Sequence, residues 1–197
     1  MAKRHHVIYI TGLGDQNPLY QPQLIKKWEK FGLVSHYNAV GWADGEAFTP
    51  KLARISKLVD ELYSQGNAVS LVGISAGGGA ALNAYMERRD KITGVVFICG
   101  KIIGFSNVNP NYFKANPAFR ESLLLTQQNL EKLNAKDKAK MLSIHPIFDE
   151  TVPVAVTKIP GVKSRLMPTV LHIPSIFLAI TVYKRLFINF LKRLSVE

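Results

Sequence analysis

Cysteine is almost absent from this 197-residue sequence, whose one thiol, Cys99, lies in the apolar run VVFICG. A disulfide within the chain is excluded, and so is a cysteine–histidine zinc cluster. Cys99 reads as a buried structural thiol. A reducing compartment, the cytoplasm, is the expected location. Long uncharged apolar runs are missing too. The nearest, IPSIFLAITVY, is cut off by Lys184 and Arg185, short of a membrane span. The opening MAKRHHVIYITGLG has basic residues before only a few apolar ones, and no A-x-A site follows. It reads as a first strand, not as a signal peptide. Acidic residues are scarce: 14 against 25 basic ones, a net charge of +11. Such a charge is compatible with nucleic acid or an anionic membrane surface. The basic residues are, however, spread along the chain without the aromatic interleaving of an RNA-binding sheet. A solvated basic surface and no specific nucleic-acid partner are expected. Repeats and low-complexity linkers are also missing, which predicts one domain over residues 1–197.

What is present is a core-forming composition, 47% hydrophobic, patterned as alternating strands and helices. VIYITG (7–12), residues 33–40, AVSLVGI (68–74), ITGVVFICG (92–100), MLSIHPIF (141–148) and residues 165–171 read as strands. Helices are expected over 18–30, from Thr49-Pro50 to Gly66, from the glycine-rich turn to about Arg89, over 117–133 and over 175–194. Residues 110–117 read as a loop. Pro146 and Pro168 argue against central positions for their strands. Six alternations predict a three-layer α/β/α sandwich around a mostly parallel sheet of about six strands. Ligands of such sheets sit at the carboxyl ends of the strands. The windows to inspect are therefore 12–16, 41–46, 75–77, 100–106, 149–153 and 172–174.

In the third window, Gly73-Ile74-Ser75-Ala76-Gly77 matches G-x-S-x-G between a strand and a helix. A serine exposed on such a turn needs tiny neighbours two before and two after, because strand and helix converge there. The helix start also offers N–H groups and partial positive charge beside Ser75. Serine needs a base, and the base needs an orienting acid. Of His5, His6, His36, His145 and His172, only His172 follows a strand at that end of the sheet. Asp149 follows another strand. Glu150, Asp44 and Glu46 are the other contenders for the acid.

The order Ser75, Asp149, His172, with the segments GISAG, DETVP and LHIPS, resembles the α/β-hydrolase family over nearly the whole chain. The resemblance implies Ser75 as nucleophile, His172 as base and Asp149 as acid. It also implies an oxyanion hole from the N–H of Ala76 and one from the loop ITGLGDQ, at Leu13 or Gly14, with Gly12 and Gly14 against the substrate. The family often has His-Gly where this chain has Thr11-Gly12. No extra leading strands precede VIYITG, and residues 101–140 leave room for one or two helices, so a compact, lid-poor member is expected.

Gly12-x-Gly14 begins a dinucleotide fingerprint, but Asn17 stands at the third glycine position. No paired metal-ligand motif occurs either. No cofactor is therefore expected, and the partner is a small-molecule acyl substrate. The basic, amphipathic segment 176–194 reads as a closing helix packed on the sheet. Its alternative is contact with an anionic membrane, which would suit a non-catalytic hydrolase-fold binding module.

Overall fold

A computed structural model describes residues 4–105 and 108–195. Six strands, β1 (His5–Ile10), β2 (Leu33–Asn38), β3 (Ala68–Ile74), β4 (Ile92–Ile98), β5 (Met141–Phe148) and β6 (Lys163–Val170), form one sheet. Its order is β2-β1-β3-β4-β5-β6, and every pair is parallel. β1, β3 and β4 are apolar runs buried almost throughout, as strands covered on both faces must be. β6 is an edge strand, which accommodates Pro168. Around Pro146 the register of β5 on β6 shifts, where a ladder N–H is missing.

Helices cover both faces. On one lie α2 (Phe48–Ser64), α3 (Gly77–Glu87) and α5 (Pro117–Leu130), with short α4 (Pro110–Ala115) and α6 (Ala135–Ala139) beside them. On the other lie α1 (Gln21–Lys26), α7 (His172–Thr181) and α8 (Arg185–Leu194). Two apolar clusters result. One holds Trp42, Phe48, Leu71, Tyr85 and Phe97, the other Tyr9, Trp28, Val72, Ile144 and Phe187. α3 is buried from Gly77 to Tyr85, so its apolar character is not one-sided. Asn83, inside α3, donates to the Ser122 carbonyl at 3.0 Å and accepts from Asn129 at 3.0 Å, which satisfies its amide.

Several helices differ from expectation. The helix expected from Pro18 starts at Gln21, because Leu19 and Tyr20 have positive φ values of 44° and 63°. The expected loop at 110–117 holds α4: Asn109 accepts from Asn111 N–H at 2.9 Å, and Pro110 occupies the first turn, where its missing N–H costs nothing. The described residues of 101–140 therefore carry three helices, not one or two. The closing helix starts earlier, at His172, and is broken into α7 and α8 with a 56° bend. At the break the N–H groups of Val182 and Tyr183 both converge on the Leu178 carbonyl at 2.8 Å. The Thr181 hydroxyl competes by donating to the Phe177 carbonyl at 2.6 Å, and the β-branched run Ile180-Thr181-Val182 favours helix poorly. The apolar side of α8, with Phe187, Ile188, Phe190 and Leu191, is buried in the second cluster.

The chain runs outward from β1 to β2, then returns to place β3 on the other side of β1. This reversal puts the switch point, and the crevice it opens, between the ends of β1 and β3.

Candidate active site

β1 ends at Ile10 opposite Gly73, one residue before the end of β3. The loops that follow are thus forced side by side. Ser75 takes φ = 49°, a left-handed conformation that costs a non-glycine residue energy. Backbone contacts hold it there. Its N–H donates to Ile98 at 3.1 Å, and its carbonyl accepts from Gly78 and Lys101 at 3.0 Å each. Gly12 lies directly beneath: a Cβ there would sit 2.8 Å from the Ser75 Cβ. Further into α3, Gly78 and Gly79 face Ile102 and Thr126, on the post-β4 segment and α5, while Ala81 faces the sheet at Gly73.

His172 is the first residue of α7, and Asp149 directly follows β5. Ser75 Oγ lies 2.9 Å from His172 Nε2, and His172 Nδ1 lies 2.7 Å from Asp149 Oδ2. An ionised carboxylate only accepts, so Nδ1 carries the proton and Nε2 is left to accept from the serine hydroxyl. Asp149 Oδ1 accepts from the N–H groups of Thr151 at 3.0 Å and Val152 at 2.7 Å. Burial alone would raise its pKa. The hydrogen bond from His172 and those two N–H groups outweigh burial, and the carboxyl is held below its ordinary value. Glu150 plays a different part. Its Oε2 accepts the backbone N–H of His172 at 2.9 Å, placing negative charge at the start of α7.

Thr11, in place of the expected histidine, ties the post-β1 loop down. Its hydroxyl donates to Asp15 Oδ2 at 2.9 Å, and its carbonyl accepts from Trp42 Nε1 at 3.0 Å. Asp15 Oδ2 also accepts from Gly41 N–H at 2.7 Å, linking this loop to the one after β2. Leu13 and Ala76 flank Ser75 in one cavity, and neither N–H has a protein acceptor among the described residues. Gly12 and Gly14 line the same cavity.

The other contenders lie elsewhere. Asp44 and Glu46 pair with Lys51 at 2.6 and 3.3 Å. His36 Nε2 lies 2.8 Å from His6 Nδ1, His5 Nε2 lies 2.8 Å from Ser70 Oγ, and His145 Nδ1 lies 3.0 Å from the Pro146 carbonyl.

The cavity encloses about 390 Å³. Its walls are mostly apolar, with Tyr112 and Phe119 from α4 and α5 facing Ile173, Ile176 and Phe177 from α7. Tyr112, Ile173 and Phe177 are also exposed, which gives the mouth an apolar rim. Sequence reasoning singled out none of these wall residues. Lys101 and Asp15 also line it; both fall within the windows at the strand ends, but neither carried an expected role.

Cys99 Sγ lies within 4.8 Å of ligand atoms of Asp149 and His172, which is the spacing of a metal cluster. Burial and the nearby Asp149 and Glu150 charges push its thiol pKa far up, so the ligating thiolate is disfavoured. Asp149 and His172 already satisfy each other. A metal ion at this trio would have to displace the His172–Asp149 hydrogen bond.

The sequence matches no protein-family model and no curated protein sequence. Its similarity lies in solved structures. A metagenome-derived lipolytic enzyme from the LipS and LipT study aligns at TM-score 0.67 and 13% identity, covering 98% of this chain and 95% of that one. A monoacylglycerol lipase from Paleococcus ferrophilus aligns at TM-score 0.65 and 15% identity, covering 96% and 94%. The chain has the α/β-hydrolase fold. A serine hydrolase involved in carbazole degradation, CarC, shares it at TM-score 0.60 and 13% identity, covering 100% of this chain and 93% of that one. Within this fold, the crevice between β1 and β3 is where the loop after β1, the turn at Ser75 and the start of α7 converge.

Proposed function

We propose that the protein is a serine hydrolase that cleaves small esters or thioesters through an acyl-enzyme. The observation that carries this reading is the continuous relay from Ser75 Oγ through His172 to the buried Asp149, at 2.9 and 2.7 Å. The solved lipolytic and serine hydrolases that share the fold support it as well. In the first half-reaction His172 Nε2 takes the Ser75 proton while Oγ attacks the substrate carbonyl. Charge moves onto the carbonyl oxygen, which accepts from the N–H groups of Ala76 and Leu13. Asp149 stays ionised and stabilises the imidazolium. His172 then gives its proton to the departing alkoxide or thiolate. In the second half-reaction water donates a proton to His172 and its oxygen attacks the acyl carbon. Collapse frees the carboxylic acid and returns the proton to Ser75.

A fluorophosphonate probe tests this directly. Wild type becomes labelled and Ser75→Ala does not. Folded wild-type protein that never labels and never turns over a p-nitrophenyl ester would overturn the reading.

A further inference from the structure

Among the described residues two lysines are buried, Lys51 at 1% exposure and Lys101 at 3%. Their surroundings differ. Lys51 Nζ donates to the Gly41 carbonyl at 2.8 Å, Asp44 at 2.6 Å and Glu46 at 3.3 Å, so all three N–H bonds are used and two acceptors are carboxylates. Lys101 Nζ donates to the Ile103 carbonyl at 2.9 Å. Among the described residues it has no carboxylate within ion-pair distance and no second acceptor. A buried cation without an anion is costly, and such charges are normally paired. Burial lowers the Lys101 pKa, as expected of an ammonium with no compensating negative charge.

The position of Lys101 makes this informative. Its backbone N–H donates to the Ser75 carbonyl at 3.0 Å, so it sits beside the turn that holds the serine. It lines the same cavity as Ser75 and His172. The other charged groups of that cavity are committed: His172 to Asp149, and Asp15 to Thr11 and Gly41. The remaining wall is mostly apolar, a setting in which one unpaired ammonium discriminates strongly between charged and uncharged ligands. The net charge of +11 also favours the approach of anions.

We propose that Lys101 forms an anion subsite in the cavity beside Ser75, and that the preferred substrate is an ester carrying a carboxylate or phosphate group. This rests on the hydrolase reading above. The ammonium pairs with the substrate anion, which uses N–H bonds that the described residues leave open.

The test compares anionic esters with uncharged partners. Mono-p-nitrophenyl glutarate against p-nitrophenyl 5-methylhexanoate places a carboxylate on the acyl side. 4-Acetoxybenzoate and 4-acetoxyphenyl phosphate, each against 4-tolyl acetate, place carboxylate or phosphate on the alcohol side. Wild type should prefer the anionic member of at least one pair. Lys101→Met should reduce that preference, read as the ratio of kcat/KM for the anionic over the uncharged ester, about 10- to 100-fold, the range for losing a hydrogen bond to a charged group. Lys101→Arg should keep part of the preference. A preference that is absent in wild type, or unchanged in Lys101→Met, overturns the subsite. Binding of the same compounds to Ser75→Ala, followed by calorimetry, gives a readout free of turnover. Preference for the anion there, lost in Ser75→Ala/Lys101→Met, upholds the subsite even if no ester is hydrolysed, in which case the hydrolase reading alone fails. Equal binding of charged and uncharged ligands to Ser75→Ala sinks the subsite whatever the catalytic result.

Discussion

A methyl group on Gly73 would lie 2.3 Å from the carbonyl oxygen of Gly77. The two glycines bracket Ser75, and the contact is backbone against backbone, so no side chain can swing away. Gly77 is equally confined, since a Cβ there would meet the Ile10 carbonyl oxygen at 2.4 Å. The G-x-S-x-G spacing is therefore the condition for β1, β3 and α3 to approach this closely. Gly73→Ala is predicted to lose at least about 1–3 kcal/mol, the usual cost of overpacking. Thermal melting by circular dichroism should show this as a fall of about 2–4 °C per kcal/mol. An unchanged melting temperature would mean that the turn is more compliant than its contacts imply.

Asp149 and Glu150 are neighbours with separable roles. Asp149 is buried and accepts a hydrogen bond from the His172 ring Nδ1–H, whereas exposed Glu150 accepts the His172 backbone N–H and the Thr151 hydroxyl and does not touch the ring. Asp149→Asn keeps the shape but replaces an acceptor with a group that can donate, which favours the wrong tautomer. Its kcat should fall about 10⁴-fold, on the scale known for a triad aspartate. Glu150→Gln keeps an acceptor for the helix start and should stay within about tenfold of wild type. Comparable losses from both variants would contradict this division of labour.

The six strand positions, and the placing of Ser75, Asp149 and His172 after strands, were legible because each rests on a local signal; the strand order β2-β1-β3-β4-β5-β6 was not read from the sequence. β3 and β5 are largely buried strands with Ser75 and Asp149 directly after them, while His172 follows β6, a mostly exposed edge strand read from residues 165–171. The break between α7 and α8 was not legible. The residues around it continue a helical apolar pattern, and only the competing Thr181 hydroxyl and the β-branched run mark the interruption. Nor did the sequence single out Lys101, because one lysine among 25 basic residues carries no sign of burial. That emerges only when α3, α5 and the segment after β4 pack together. Asn109-Pro110 shows a third kind of limit: the same dipeptide can open a loop or cap a helix, and tertiary contacts choose.

His6 and His36 are predicted to make the protein sensitive to mild acid. Their rings are stacked with centroids 5.1 Å apart, and Nδ1 of one lies 2.8 Å from Nε2 of the other. Burial lowers both pKa values, and for His6 the His36 and Arg4 charges lower it further. A lowered folded-state pKa means that the unfolded chain binds more protons below the ordinary histidine value, about 6.5. Stability is then full above that pH and is lost as pH falls through the folded values. The melting temperature of wild type should drop between pH 7.5 and 5. In His36→Gln the drop should be smaller, with little change at pH 7.5. A drop equally steep in the variant would place the acid sensitivity elsewhere.

Asp15 offers a way to test the proposed oxyanion hole, which is hard to reach by mutation because its donors are backbone groups. The loop bearing Leu13 is held by Asp15 Oδ2, which accepts from the Thr11 hydroxyl at 2.9 Å and from Gly41 N–H at 2.7 Å. Neither contact involves the Ser75 relay. Removing them in Asp15→Ala leaves the Ser75–His172–Asp149 hydrogen bonds intact but frees the Leu13 N–H to wander. Outright loss of a hole donor costs about 10²–10³-fold in kcat. A loosened donor should cost less, about 10- to 100-fold, since small misplacements already slow catalysis. The loss should fall on kcat with KM little changed, because the donor acts on charge that develops only in the transition state. Asp15→Asn retains a carbonyl oxygen that can accept from both partners, so it should recover much of the rate. A loss confined to KM, or an Asn variant no better than Ala, would indicate that Asp15 contacts substrate instead of positioning the loop.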